Sequence, residues 1–109
     1  MKKVIAVDFD GTLCENRFPE IGDPNTELIS QLIEARERGA VIILWSCRGG
    51  RNLKSAVKWA KEHGLVFDYV NRNTPERIRA FKSDSRKVSA DVYIDDRSAP
   101  FKFGERLEV

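Results

Sequence analysis

The stretch Val4-Ile5-Ala6-Val7-Asp8-Phe9-Asp10-Gly11-Thr12 decides the fold. A short, continuous apolar run that ends in polar residues and glycine has the pattern of a parallel strand buried on both faces. Its carboxyl end delivers Asp8 and Asp10 to the edge where open α/β sheets bind ligands. Gly11 permits a sharp turn there, so one carboxylate can face a reacting centre while the other takes a second role. Such a pair suits nucleophilic attack by one group and proton transfer by the other. Alone, Asp10-Gly11 is also an ordinary turn signal, so partners elsewhere in the chain have to support the reading.

Working outward, residues 14–23 read as a polar loop anchored by Phe18 and Ile21. Pro24 then suits the first position of a helix, with Asp23 as its N-cap. Leu28, Ile29, Leu32 and Ile33 recur at helical spacing until Gly39. A second buried strand is expected over 40–45, ending in Ser46-Cys47-Arg48-Gly49-Gly50. A second amphipathic helix carries Leu53, Ala56, Val57 and Ala60 and stops at Gly64, and 65–70 reads as a third strand. A short helix starts near Thr74-Pro75-Glu76 with Ile78 and Phe81 inward. Residues 90–94 form a fourth strand ending in Asp95-Asp96, and 103–109 can add an edge strand.

This alternation of strands and helices predicts a single Rossmann-like three-layer α/β/α domain over residues 1–109, its central sheet mainly parallel. Right-handed crossovers bring all strand carboxyl ends to one edge. Asp8/Asp10, Ser46/Arg48 and Asp95/Asp96 therefore converge. Four carboxylates on one edge repel one another unless a cation neutralises them. Oxygen ligands without His or Cys favour Mg²⁺, with Asp8 and Asp95 as first candidates, a backbone carbonyl near Asp10 as a third, and Asp10 and Asp96 beside them. Ser46 offers a hydroxyl to phosphate, and its glycine-containing turn offers backbone N–H groups. A lysine before the fourth strand, Lys87 or alternatively Lys82, can neutralise further charge, and Arg48 is a third phosphate-binding candidate. These parts describe phosphoryl transfer: Asp8 attacks phosphorus, and Asp10 protonates the leaving oxygen and later activates water.

Asp8-Phe9-Asp10-Gly11-Thr12-Leu13, the strand-terminal Ser46, a later Lys and Asp95-Asp96 resemble the four motifs of the haloacid dehalogenase-like hydrolase superfamily. That resemblance spans roughly residues 4 to 97. It implies Asp8 as nucleophile, Asp10 as acid/base, Ser46 as the phosphate-binding hydroxyl and Asp95, assisted by Asp96, as magnesium ligand. Asp10 at the second position resembles the phosphatase branch. With about 30 residues between Leu13 and the end of the second strand, half of them helical, no cap domain fits. Capless members act on large or polymer-attached phosphates or cover their open sites by homo-oligomerisation.

Composition limits the alternatives. With 109 residues, 33% charged, and a net charge of +2, the chain fits one core and gives no reason to expect nucleic acid as a dedicated ligand. Cys14 and Cys47 make neither a disulfide framework nor a metal cluster of familiar spacing, and Cys47 reads as a small buried residue. Neither a signal peptide nor an apolar stretch near the ~20 residues of a membrane helix is present, so a cytoplasmic protein without membrane partners is expected. Arg48 and Arg97 also suit salt-bridged or solvated roles, His63 a helix C-terminus, and Trp45 and Trp59 face packing. A receiver domain storing an aspartyl-phosphate is a rival reading. Its acceptor would follow the third strand, which here ends Tyr69-Val70-Asn71. A fold kept for binding alone is the other rival.

Overall fold

Val4–Val7 forms β1, and β1 pairs on both sides in the computed structural model, which describes residues 2–85 and 88–97. Its neighbours are β4 (Val41–Leu44), in register Val4↔Val41 to Val7↔Leu44, and β6 (Val92–Ile94), in register Ile5↔Val92 to Val7↔Ile94. Both pairings are parallel, and β5 (Tyr69–Val70) adds in parallel to the far side of β4. The order β5-β4-β1-β6 means that the chain first builds outward from β1 on one side and then returns to its other side. The reversal between β1 and β6 is a topological switch point, where loops at the carboxyl ends part and leave a crevice. The acidic motifs follow these two strands.

Period-2 alternation of β1 divides the core. Ile5 and Val7 pack with Ile42, Leu44 and the helical residues Ile29, Leu32, Ala56 and Ala60. Val4 and Ala6 face the other way, toward Ile43 and Val88. The first face is covered by α1 (Thr26–Glu37) and α2 (Gly50–Glu62), each ending at a glycine with positive φ, Gly39 at +98° and Gly64 at +87°. The connection from β5 to β6 contains α3 (Pro75–Phe81), which is tied to the segment before β6 through Arg77, bonded to Ser89 Oγ at 2.6 Å and paired with Asp91. The domain is thus a Rossmann-like α/β fold with a parallel four-stranded sheet flanked by helices.

Four sequence expectations need correction. The 14–23 segment is a β-hairpin, β2 (Cys14–Arg17) with β3 (Glu20–Pro24), rather than a loop. Its strands are mostly exposed and do not alternate in hydrophobicity, and Gly22 is buried so close to Glu15 that a Cβ would collide with the opposite backbone. Because Pro24 belongs to β3, the first helix starts later: Asn25 is the N-cap, and its Oδ1 accepts the N–H of Leu28 at 3.2 Å. The third strand is shorter than 65–70, since the chain comes alongside β4 only at Asp68, whose N–H reaches Ile42 O at 2.8 Å. Phe81 is 61% exposed rather than inward, and no residue of α3 is buried. The expected edge strand at 103–109 lies outside the described residues.

Candidate functional site

β1 ends at Val7, and the next residues turn inward under two constraints. Phe9 is fully buried, its ring edge-on to Trp59 with centroids 5.4 Å apart. Gly11 has φ +82°, and Leu13 N–H returns to Phe9 O at 2.9 Å, closing a turn. Anchoring Phe9 on the α2 side leaves Asp8 and Asp10, its neighbours, directed away from the core and only partly buried. Meanwhile Asp8 N–H bonds Ile94 O at 2.9 Å, extending the β1–β6 ladder to the first acidic residue.

The carboxylates of Asp8, Asp95 and Asp96 come together, each offering an oxygen within 4.8 Å of the others. Gly11 makes this approach feasible: a Cβ there would collide with the Asp96 carboxylate. Thr12 secures the same contact, its buried hydroxyl accepting Asp96 N–H at 3.1 Å. Burial first, and then the neighbouring charges of Asp95, Asp96 and Asp10, push the Asp8 carboxyl above its ordinary range, against a hydrogen bond from the Phe9 backbone. Three hard oxygen donors under mutual repulsion fit a small divalent cation, and Mg²⁺ matches the donor chemistry.

Asp10 does not join this cluster. Both its oxygens accept from Arg48, Oδ2 from Nε and Oδ1 from Nη2, each at 2.8 Å. This corrects the expectation for the Asp10 side chain, whose carboxylate stands apart from the other three as a metal ligand. It also corrects the assignment of Arg48 to phosphate, because the remaining guanidinium donors go to backbone carbonyls. Arg48 takes the salt-bridged role, the other one its position suits.

Ser46 follows β4 and stays partly accessible on the same edge. Its Oγ accepts Arg48 N–H at 3.1 Å, which fixes the oxygen while its own proton remains free to be donated outward. Ser46 N–H in turn goes to Asn71 Oδ1 at 2.8 Å. Asn71 was missed in the sequence reading. It stands at φ 51°, a left-handed conformation Asn tolerates, directly after β5, and so clamps two strand ends together. Just beyond Ser46, α2 begins at Gly50 behind the N-cap Gly49, with neither a side-chain cap nor an acidic residue in its first turn. Its N-terminal amides and positive dipole end are therefore open to an anion.

Of the other expected residues, Lys87 lies outside the described residues. Lys82 is exposed, in a left-handed conformation at the end of α3. Arg97 is exposed with its N–H on Asp95 Oδ1 at 3.0 Å. Cys47 is exposed rather than buried, displaced outward by Arg48, which takes the interior position next to it. His63 packs its ring on Trp59, centroids 4.1 Å apart, and bonds Trp59 O, as befits a helix end.

Comparison with known proteins adds one relation. The chain is similar to a conserved protein from Bacteroides thetaiotaomicron whose structure is solved, with 40% identity and a TM-score of 0.78. The alignment covers 90% of this chain and 78% of the other. The two chains belong to one family. No family model and no curated protein matches the sequence.

Proposed function

We propose that this protein is a magnesium-dependent phosphomonoester hydrolase that works through an aspartyl-phosphate on Asp8. One observation carries the reading: Asp8 stands at the β1/β6 switch point with Asp95 and Asp96 on one side, and Ser46 and the open start of α2 follow the neighbouring strand β4. A nucleophilic carboxylate, a cation site and an anion-binding edge are what a phosphate ester requires.

Asp8, Asp95 and Asp96 would hold the ion. A bound Mg²⁺ would offset the carboxylate repulsion and supply Lewis-acid stabilisation of phosphate charge. The chain's own groups do the rest. An Asp8 oxygen forms a bond to phosphorus as the ester P–O bond breaks. Asp10, having released one of its two Arg48 bonds and taken up a proton from solvent on that oxygen, passes the proton to the departing oxygen. Ser46 Oγ–H and the first amides of α2 hold the nonbridging phosphate oxygens. Asp10 then takes a proton from water, whose oxygen attacks the acyl phosphate and releases phosphate and free Asp8.

Only the short β2–β3 hairpin rises after β1, so the site lacks a cap domain among the described residues. That openness supports a phosphorylated substrate that is large or polymer-attached, or coverage by a second copy in a homo-oligomer. No described helix is long and apolar enough to cross a membrane. The free thiols of buried Cys14 and exposed Cys47 fit a reducing cytoplasm.

Phosphate release should be measured across sugar phosphates, nucleotides, phosphoamino acids and an aryl phosphate, with Mg²⁺ and with chelator. Turnover abolished by chelator and by Asp8→Asn is the expected result. Turnover unchanged by Asp8→Asn in a clean preparation would overturn the reading.

A further inference from the structure

Arg48 is held by three separate parts of the fold. Its side chain is 1% exposed, and all five guanidinium N–H groups have acceptors. Nε and Nη2 grip the two oxygens of Asp10 at 2.8 Å. A second Nη2 bond reaches Glu20 O at 3.0 Å, while Nη1 reaches Pro19 O and Asn52 O, both at 3.3 Å. The guanidinium carbon lies over the rings of Phe9, 5.0 Å away, and Phe18, 5.1 Å away. The hairpin tip, the first turn of α2 and the catalytic loop thus meet on one planar cation.

We propose that Arg48 is the positioning residue for Asp10: it keeps this carboxylate out of the Asp8–Asp95–Asp96 cluster and sets its place by the β2–β3 hairpin. The inference rests on the phosphatase reading above. Asp10 is two residues from Asp8, and a divalent cation at the cluster would attract any mobile carboxylate within reach. A carboxylate drawn onto the ion is lost to proton transfer, whereas one held by Arg48 can open one arm of the fork and take up a proton there while the other arm keeps it in place. The bidentate, buried guanidinium pair opposes that capture, because a charge-assisted fork is both strong and directional. Its bonds to Pro19 O and Glu20 O make the hairpin a support for the acid–base group as well as a rim of the site.

The role predicts a dependence on the leaving group that a merely structural arginine would not produce. A nitrophenyl phosphate expels a stable anion and needs little help from an acid, whereas a simple alkyl phosphate needs the proton. Both esters would be assayed with wild-type protein, Arg48→Met, Arg48→Lys, Asp10→Asn and the double variant Asp10→Asn/Arg48→Met. In Arg48→Met, kcat for the alkyl phosphate should fall by about 10²-fold or more, the scale of a general acid. The aryl phosphate should lose far less, and calorimetric Mg²⁺ affinity should hold or rise as Asp10 becomes free to ligate. Asp10→Asn should show the same discrimination between esters, with no further change in the double variant. Should Arg48→Met fail to fold, Arg48→Lys carries the test, since it keeps a cation beside Asp10 but lacks the fork, and the same pattern should appear in weaker form. Parallel loss on both esters in a folded variant, or full alkyl turnover in Arg48→Lys, overturns the positioning role and leaves the phosphatase reading standing. No turnover of either ester by wild-type protein overturns both.

Discussion

Thr12 accepts the backbone N–H of Asp96 on its hydroxyl oxygen at 3.1 Å, joining positions 84 residues apart in sequence. Thr12 is buried, so the hydroxyl cannot be exchanged for water without cost. Through this bond the turn after β1 fixes the backbone of the turn after β6, and with it the direction of the Asp96 carboxylate. Thr12→Val keeps the shape and removes the acceptor. It should destabilise the fold by about 0.5–1.5 kcal/mol, the net worth of one hydrogen bond whose donor belongs to an exposed residue, and weaken Mg²⁺ binding. Denaturant unfolding and calorimetry would check both, and unchanged metal affinity would mean Asp96 is oriented by other contacts.

Gly11 answers the same requirement by steric means. Alanine there would force a Cβ into the Asp96 carboxylate on a backbone already at φ +82°. Gly11→Ala should cost more than the ~1 kcal/mol scale of a simple left-handed substitution and should abolish Mg²⁺-dependent turnover. A folded variant with wild-type metal affinity would contradict the crowding account.

Metal-free stability should depend on pH through Asp8. Burial and its acidic neighbours raise the Asp8 pKa in the folded state, so the native protein retains a proton that the unfolded chain has already released. The stability from that proton is present below the ordinary carboxylate pKa of about 3.9 and is lost as the pH rises through the raised folded value. At neutral pH the metal-free protein then carries the full repulsion. Asp8→Asn should therefore raise the melting temperature at neutral pH without metal, with a smaller gain in acid. Mg²⁺ should stabilise the wild type more than the variant. A lower melting temperature for Asp8→Asn at neutral pH would refute this balance of forces.

Phe9 separates Asp8 from Asp10 and pins both. Its ring is fully buried, meets Trp59 edge-on and lies under the Arg48 guanidinium. Phe9→Ala should cost about 3–5 kcal/mol through cavity formation, readable by denaturant unfolding followed on Trp59 fluorescence. A cost below 1 kcal/mol would show that neighbouring side chains collapse into the space.

The parts of the fold that were legible in sequence are those with strong local signals. The apolar runs of β1 and β4 and the helical spacing of α1 and α2 needed nothing beyond periodicity. Asp8, Asp95 and Asp96 could be placed together because topology carries strand ends to one edge. The hairpin was hidden because Cys14–Arg17 buries only Cys14, and its tip depends on a guanidinium from a distant loop. Arg48 could be named but not aimed: nothing local says whether a cation after a strand turns to a ligand or to a carboxylate of its own chain. Asn71 left only a weak signal, an Asn directly after a strand, which gains meaning once its left-handed backbone is seen against Ser46.

The pairing of β1 with β6 also sets when the site can exist. A ribosome releases Asp8 early, but its partners Asp95 and Asp96 emerge only after β4, β5 and three helices have been made. A nascent or truncated chain that stops before β6 therefore displays one of the three clustered carboxylates, unable to gather a divalent ion tightly. The register Ile5↔Val92 closes a loop across most of the polypeptide, a contact of high sequence separation that is slow to form and late to be rewarded. An ion that binds only the completed cluster would stabilise only molecules in which β6 has joined β1, so metal loading would act as a thermodynamic check on that pairing.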